Sequence, residues 1–169
     1  MKIVRYALLV VFQVTMSFYR DEPKILEVFN TGKGIAWGDH DKDLFEGTGK
    51  FATLIYTANL ISSWIPALDN GKVEQKLKQR GLKVADIGCG YGTSTILMAK
   101  AYPNCKFYGF DNHPASIDYA RNKAKEEDLG EDRIQFEVAS STNFPLSQRQ
   151  QLEGGAGDSG GGIRFDNIL

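Results

Sequence analysis

Apolar residues first cluster from Tyr6 to Phe12, behind Lys2 and Arg5, and continue weakly through Val14 and Met16. A basic start followed by an apolar run has the outline of a secretory signal over residues 1–17, with Thr15 and Ser17 as small residues near its end. The same run suits an extra strand or helix packed on a domain. Pro23 to Phe29 predicts a short helix, stopped by Gly32-Lys33-Gly34, and the chain then reads as irregular through Gly49. Thr48 predicts the cap of a helix running to Ile65. In it Phe51, Leu54, Ile55, Ala58, Ile61 and Ile65 recur at helical spacing, and Pro66 marks the stop. Val73 to Arg80 predicts another short helix, ended by Gly81.

From Leu82 the period alternates. Val84 to Ile87 predicts a compact apolar strand, and Ser94 to Tyr102 a helix closed by Pro103. Phe107 to Phe110 is the next strand. Pro114 suits the first position of a helix to Glu127, whose Ile117, Ala120 and Ala124 share one face. Ile134 to Ala139 predicts a third strand, and Phe165 to Leu169 the start of a fourth. Short buried strands alternating with helices define an α/β fold with a parallel sheet and right-handed crossovers.

Composition narrows the picture. The 169 residues suffice for one domain of ordinary soluble composition, 42% hydrophobic and 24% charged. Twenty basic against 21 acidic residues give a net charge of -1, which argues against a dedicated nucleic-acid binder. No run approaches the roughly 20 apolar residues of a membrane span. Six of the nine residues from Gly154 to Gly162 are glycine, which predicts a flexible loop over 146–162.

The most specific chemistry lies in Val84-Ala85-Asp86-Ile87-Gly88-Cys89-Gly90-Tyr91-Gly92. A strand enters a loop with glycine at alternate positions, and a helix leaves it. Such a loop lets a ligand lie against bare backbone, and the helix N-terminus favours an anionic group. A dinucleotide fingerprint of the G-x-G-x-x-G type needs glycine at position 93, where Thr93 stands, and this disfavours a nicotinamide or flavin oxidoreductase. Asp111 closes the second strand about 20 residues beyond the loop, where a carboxylate accepts both hydroxyls of a ribose. The same residue suits a helix-capping aspartate ahead of Pro114.

Asp86 to Gly92 together with Asp111 resembles the S-adenosylmethionine (SAM) site of class I, Rossmann-like methyltransferases. Residues Phe29 to His40, Ser63 to Asp69 and Gly109 to His113 resemble one subset of that class, in which a winged-helix segment often precedes the catalytic domain. The likeness covers about Glu27 to Pro145 and departs at both ends. Before Glu27 there is no room for a winged helix. After Pro145 the family proceeds into a fourth strand and further elements that furnish substrate groups.

The resemblance implies that Gly88, Cys89, Gly90 and Gly92 cradle the methionine portion of SAM, and that Asp86 accepts from its amino group. It implies Asp111 for the ribose and Asn112 beside the adenine. After the third strand the family often has an acid near the adenine amine. Here Ala139, Ser140 and Ser141 follow, so Ser140 or Ser141 would accept that bond. The implied activity is methyl transfer from SAM to an unidentified acceptor, with a small molecule expected; no residue stands out as the catalytic base. The alternative is a SAM-binding fragment without turnover, acting as a binding or interaction module.

The expected organisation is a divergent N-terminal segment (1–24), a helical cap (25–80), a SAM-binding core (81–145), the glycine-rich loop (146–162) and the start of a fourth strand (163–169). Ending the sheet there would leave an edge open to self-association. His40, within Asp39-His40-Asp41-Lys42-Asp43, reads as part of a solvated loop, with Trp37 and His40 as a possible lid. A calcium loop would need glycine at Leu44 and glutamate at Lys50. His113 suits a helix cap, Trp64 core packing, and Lys123 to Asp128 a solvated helix face. Cys89 and Cys105 fall at opposite edges of a parallel sheet, so both are expected as free thiols, which suits a cytoplasmic setting.

Overall fold

The computed structural model describes residues 2–79, 81–144 and 167–168. The chain divides into two compact units, residues 1–57 and 58–169. That break falls inside the stretch 25–80 read above as one cap.

The first unit is helical. Helix α1 (Lys2–Thr31) is a single 30-residue helix that takes in both the apolar N-terminal run and the segment Pro23 to Phe29, with Pro23 inside it. Gly32 ends it in the left-handed region at φ 68°, its N–H bonded to Val28 O at 2.9 Å. Helix α2 (Lys42–Asn59) begins earlier than the pattern predicts. Thr48 is therefore no cap; the Asp41 carboxylate accepts the Asp43 N–H at 2.9 Å and opens the helix instead. Gly47 and Gly49 sit within α2 despite their poor helix propensity. Packing is the reason at Gly47, where a Cβ would lie 2.5 Å from Val14 Cγ2 of α1.

A carboxylate buried in this unit fastens the connecting loop. Asp21 is 1% exposed and accepts the Asp41 N–H at 3.0 and 3.1 Å, with His40 Nδ1 at 2.8 Å and Lys24 Nζ at 3.3 Å. Burial pushes this carboxyl up, but the bonds from Asp41, His40 and Lys24 outweigh it and hold the group below its ordinary range. Trp37 packs edge-on against Phe45.

The second unit opens with a π-helical turn (Leu60–Trp64), a short α3 (Ile65–Ala67) and a 3-10 turn (Leu68–Gly71). Helix α4 (Lys72–Gln79) follows. Ile65 and Leu77 are buried, whereas Trp64, expected in the core, is 43% exposed. The π turn breaks the spacing on which that expectation rested. Against the sequence expectation, the stretch 42–79 passes a length-and-composition criterion for a membrane span, but the turn at Leu68–Gly71, with Asp69 and Asn70 at positive φ, interrupts its helix.

The α/β alternation follows the sequence pattern: β1 (Lys83–Ile87), α5 (Thr93–Ala101), β2 (Lys106–Asp111), α6 (Pro114–Glu126) and β3 (Ile134–Val138). A two-residue β4 (Asn167–Ile168) pairs with β1 through Val84 and Ala85, giving the order β3-β2-β1-β4, all parallel. The rest of the expected strand 163–169 and the glycine-rich loop at 146–162 lie outside the described residues. One core joins Val84, Phe107, Ile134 and Phe136 of the sheet to Ile96 and Ala99 of α5 and to Ile117, Ala120 and Ala124 of α6. The opposite sheet face carries Ala85, Tyr108 and Phe110, with Phe144 packed on Phe110. The result is a partial Rossmann-like fold.

Candidate functional site: the glycine loop at the carboxyl edge of the sheet

Parallel strands bring β1 and β2 to one edge, and the loop 88–92 hangs there. Gly88 and Cys89 donate their N–H groups to Phe110 O at 2.7 and 3.1 Å. Gly92 donates to Cys89 O at 2.9 Å, and its own carbonyl accepts the Ile96 N–H at 2.9 Å, so the turn passes directly into α5.

Three glycines in the loop have positive φ: Gly88 at 75°, Gly90 at 53° and Gly92 at 73°. Their surroundings divide them. A Cβ on Gly88 or Gly90 would meet nothing within 4 Å, so both present bare backbone to open space. A Cβ on Gly92 would fall 2.7 Å from Phe136 Cζ and 2.8 Å from Ala120 Cβ. Gly92 is thus a packing residue that seats the start of α5 on the sheet, while Gly88 and Gly90 form a cradle.

Asp86 and Asp111 flank this cradle. Asp86 Oδ2 accepts the hydroxyls of Ser94 and Thr95, both at 2.7 Å. These bonds fix the carboxylate across the strand–helix turn, and among the described residues none falls on Oδ1. Burial pushes the Asp86 carboxyl up, the negative charge of Asp111 adds to this, and the two hydroxyls oppose it. A cationic ligand group at Oδ1 would offset that cost. Asp111 Oδ2 accepts the Gly90 N–H and Oδ1 the His113 N–H, each at 2.9 Å. Each oxygen keeps a lone pair for a further donor. The bond from the His113 N–H is the turn expected of a capping aspartate ahead of Pro114, and the bond from Gly90 fastens the glycine loop to the end of β2.

The other expected residues lie along the same edge. Ala139 N–H bonds Asp111 O at 2.9 Å, which places 139–141 beside the end of β2. Ser140 and Ser141 are exposed, and Ser140 Oγ lies 2.9 Å from Thr142 Oγ1 and accepts the Thr142 N–H at 3.2 Å. Ser140 thereby takes part in a turn. Asn112 is exposed. Cys89 is buried with its thiol pushed up by burial and by the charges of Asp86 and Asp111, so it is an inert wall. Cys105 is likewise buried and outside any disulfide, its Sγ 3.3 Å from Leu77 O. His113 sits at the N-cap of α6 with Nδ1 2.8 Å from Ser116 Oγ.

Three features escaped the sequence reading. Ser94 and Thr95 orient Asp86, and the signal was there in paired hydroxyl residues in the first turn of α5. Tyr91 stacks on Tyr119 with ring centroids 4.5 Å apart. Gly109 in mid-strand is required because a Cβ would lie 2.4 Å from Phe136 Cδ1 and 2.9 Å from Cys89 Sγ.

A Rossmann-like sheet with a glycine cradle between two strand-end carboxylates is consistent with a partial methyltransferase fold. The family model described as a methyltransferase domain matches residues 78–153, the segment over which the chain is similar to class I, SAM-dependent methyltransferases. Trans-aconitate 2-methyltransferase of Streptomyces coelicolor is 40% identical over 42 residues, which is 25% of this chain and 14% of that protein. An O-methyltransferase family protein from Burkholderia thailandensis aligns over 87% of this chain and 41% of its own, with 20% identity and a TM-score of 0.56. That likeness concerns the fold. The chain spans a minor part of both relatives.

Proposed function

We propose that this chain is a methyltransferase domain that binds SAM at the glycine loop and transfers its methyl group to a small-molecule acceptor. The carrying observation is the open cradle at Gly88 and Gly90, flanked by Asp86 and Asp111. In this reading Gly88, Cys89, Gly90 and Gly92 shape the seat of the methionine portion and Asp86 Oδ1 accepts from the ammonium. Asp111 holds the ribose hydroxyls, with Asn112, Ser140 and Ser141 on the adenine side. Bound SAM supplies a methyl already activated on a sulfonium. The chain's own task is then alignment, because holding reactants in an attack geometry is worth about 7–11 kcal/mol in well-oriented cases. Asp86 does so from a position set by Ser94 and Thr95, and Asp111 from one set by Gly90 and His113.

The match to Trans-aconitate 2-methyltransferase supports a small acceptor. Two buried free thiols suit a reducing, cytoplasmic setting, which fractionation of the expressed chain would check. Calorimetry tests the cofactor: SAM and S-adenosylhomocysteine are expected to bind in preference to NAD or NADP. Tighter binding of a nicotinamide dinucleotide would overturn the reading. Labelled methyl from SAM, followed over a panel of small acids, amines and phenols, tests the transfer.

A further inference from the structure

Helix α1 buries one face, which carries Val10, Ser17 and Asp21. The other face is unusually apolar for a surface: Leu8 is 53% exposed, Phe12 65% and Tyr19 70%. Along its centre run Arg5, Leu8, Phe12, Thr15, Tyr19 and Glu22, spaced alternately by three and four residues. That is the spacing of a two-helix seam.

We propose that this seam is a self-association surface on which two copies of the chain pair their α1 helices antiparallel, about a two-fold axis between residues 13 and 14. The seam is self-complementary in that register. Arg5 stands level with the partner's Glu22, Leu8 with the partner's Tyr19, and Phe12 with the partner's Thr15. Cation meets anion at both ends, and large meets small near the centre. A parallel pair would instead set Glu22 against Glu22 and Arg5 against Arg5, a like-charge arrangement that an isologous antiparallel contact avoids. The paired stretch from Arg5 to Glu22 is about 26 Å long at 1.5 Å per residue. It ends one residue before Pro23, which interrupts the helical hydrogen bonding. Phe12 and Tyr19 from both copies bring on the order of 500 Å². With Leu8 and the flanking Leu9 and Met16 the contact approaches the roughly 1,000 Å² of a specific interface.

A lipid surface suits this helix less well. Glu22 lies within the apolar face, and Arg20 and Lys24 are engaged by Asp41, Asp43 and Asp21 of their own unit. The sheet edge at β4, expected from the sequence as a site of self-association, is described only at Asn167–Ile168.

The test is the solution mass of the full chain by sedimentation. The expected species is a dimer of the 18.8 kDa chain. Phe12→Asp, Arg5→Glu and Glu22→Arg each shift it to monomer with helicity unchanged, because every substituted side chain is exposed. The double variant Arg5→Glu with Glu22→Arg restores the dimer. Under oxidation Leu8→Cys with Tyr19→Cys cross-links, whereas Leu8→Cys alone does not; Cys89 and Cys105 are buried and do not interfere. A monomer at every concentration would overturn the proposal, as would a dimer that survives Phe12→Asp. A monomer that binds lipid vesicles through α1 would also overturn it.

Discussion

Single residues carry the site, and the two kinds of glycine in one loop separate binding from folding. Gly88→Ala places a methyl in open space at φ 75°. It is expected to cost about 1–2 kcal/mol of stability, the strain of a left-handed residue, while blocking the cradle. Gly92→Ala adds a clash with Phe136 and Ala120 to similar strain, for about 2–5 kcal/mol in all. Thermal melts and calorimetry with S-adenosylhomocysteine on both variants check the contrast: Gly88→Ala folds without binding, and Gly92→Ala loses the fold. Asp111 has a double duty. On the proposed SAM binding mode, Asp111→Ala removes two charge-assisted bonds to the ribose, each worth on the order of 1.5–3 kcal/mol, so binding is expected to weaken at least tenfold. It also frees the Gly90 and His113 N–H groups. Asp111→Asn keeps one acceptor, and a smaller loss in that variant would assign the difference to charge.

Secondary elements were legible wherever their signals were local. The strands β1, β2 and β3 and the helices α5 and α6 fell within a residue or so of the reading, since period, Pro103 and Pro114 lie in the elements or just beyond them. Helix α2 was misread because its start depends on Asp41 and on the contact of Gly47 with Val14, 33 residues away. The join between α1 and the loop before α2 gives a prediction at this scale. Asp21 has a folded-state pKa lowered by its partners, so its contribution is present above the ordinary carboxylate range and lost as pH falls through the lowered value. Asp21→Asn is therefore expected to destabilise residues 1–57 near neutral pH and to narrow its deficit against the parent below pH 3.8. Hydrogen exchange of α1 amides as a function of pH measures it. A pH-independent deficit would leave packing as the whole cause.

For the whole molecule, the proposed binding mode links folding, protonation and cofactor binding through Asp86. Its folded-state pKa is raised, so the stability tied to its protonated form is full below the ordinary value of 3.8 and falls as pH rises through the raised one. The ionised form then sits uncompensated until a cation arrives. SAM, through its ammonium, is expected to favour the carboxylate and to release a proton on binding wherever Asp86 of the free chain is still protonated. Calorimetry in two buffers of different ionisation enthalpy reads that proton directly. Asp86→Asn is expected to abolish the release and to gain stability relative to the parent as pH rises. Equal heats in the two buffers would remove Asp86 from contact with the ammonium.

The sequence by itself determined the alternating α/β core, the parallel sheet, the glycine loop and the placement of Asp86 and Asp111 at one edge. Those follow from periodicity and turn chemistry, which act over a few residues. Only the tertiary structure decided that Gly92 and Gly109 serve the ring of Phe136, while Gly88 and Gly90 stay bare. It alone decided that Ser94 and Thr95 hold Asp86, that Trp64 faces outward, and which face of α1 is left open. Each of these depends on how close side chains come across elements distant in sequence, and close packing fixes such distances in ways that local pattern does not encode.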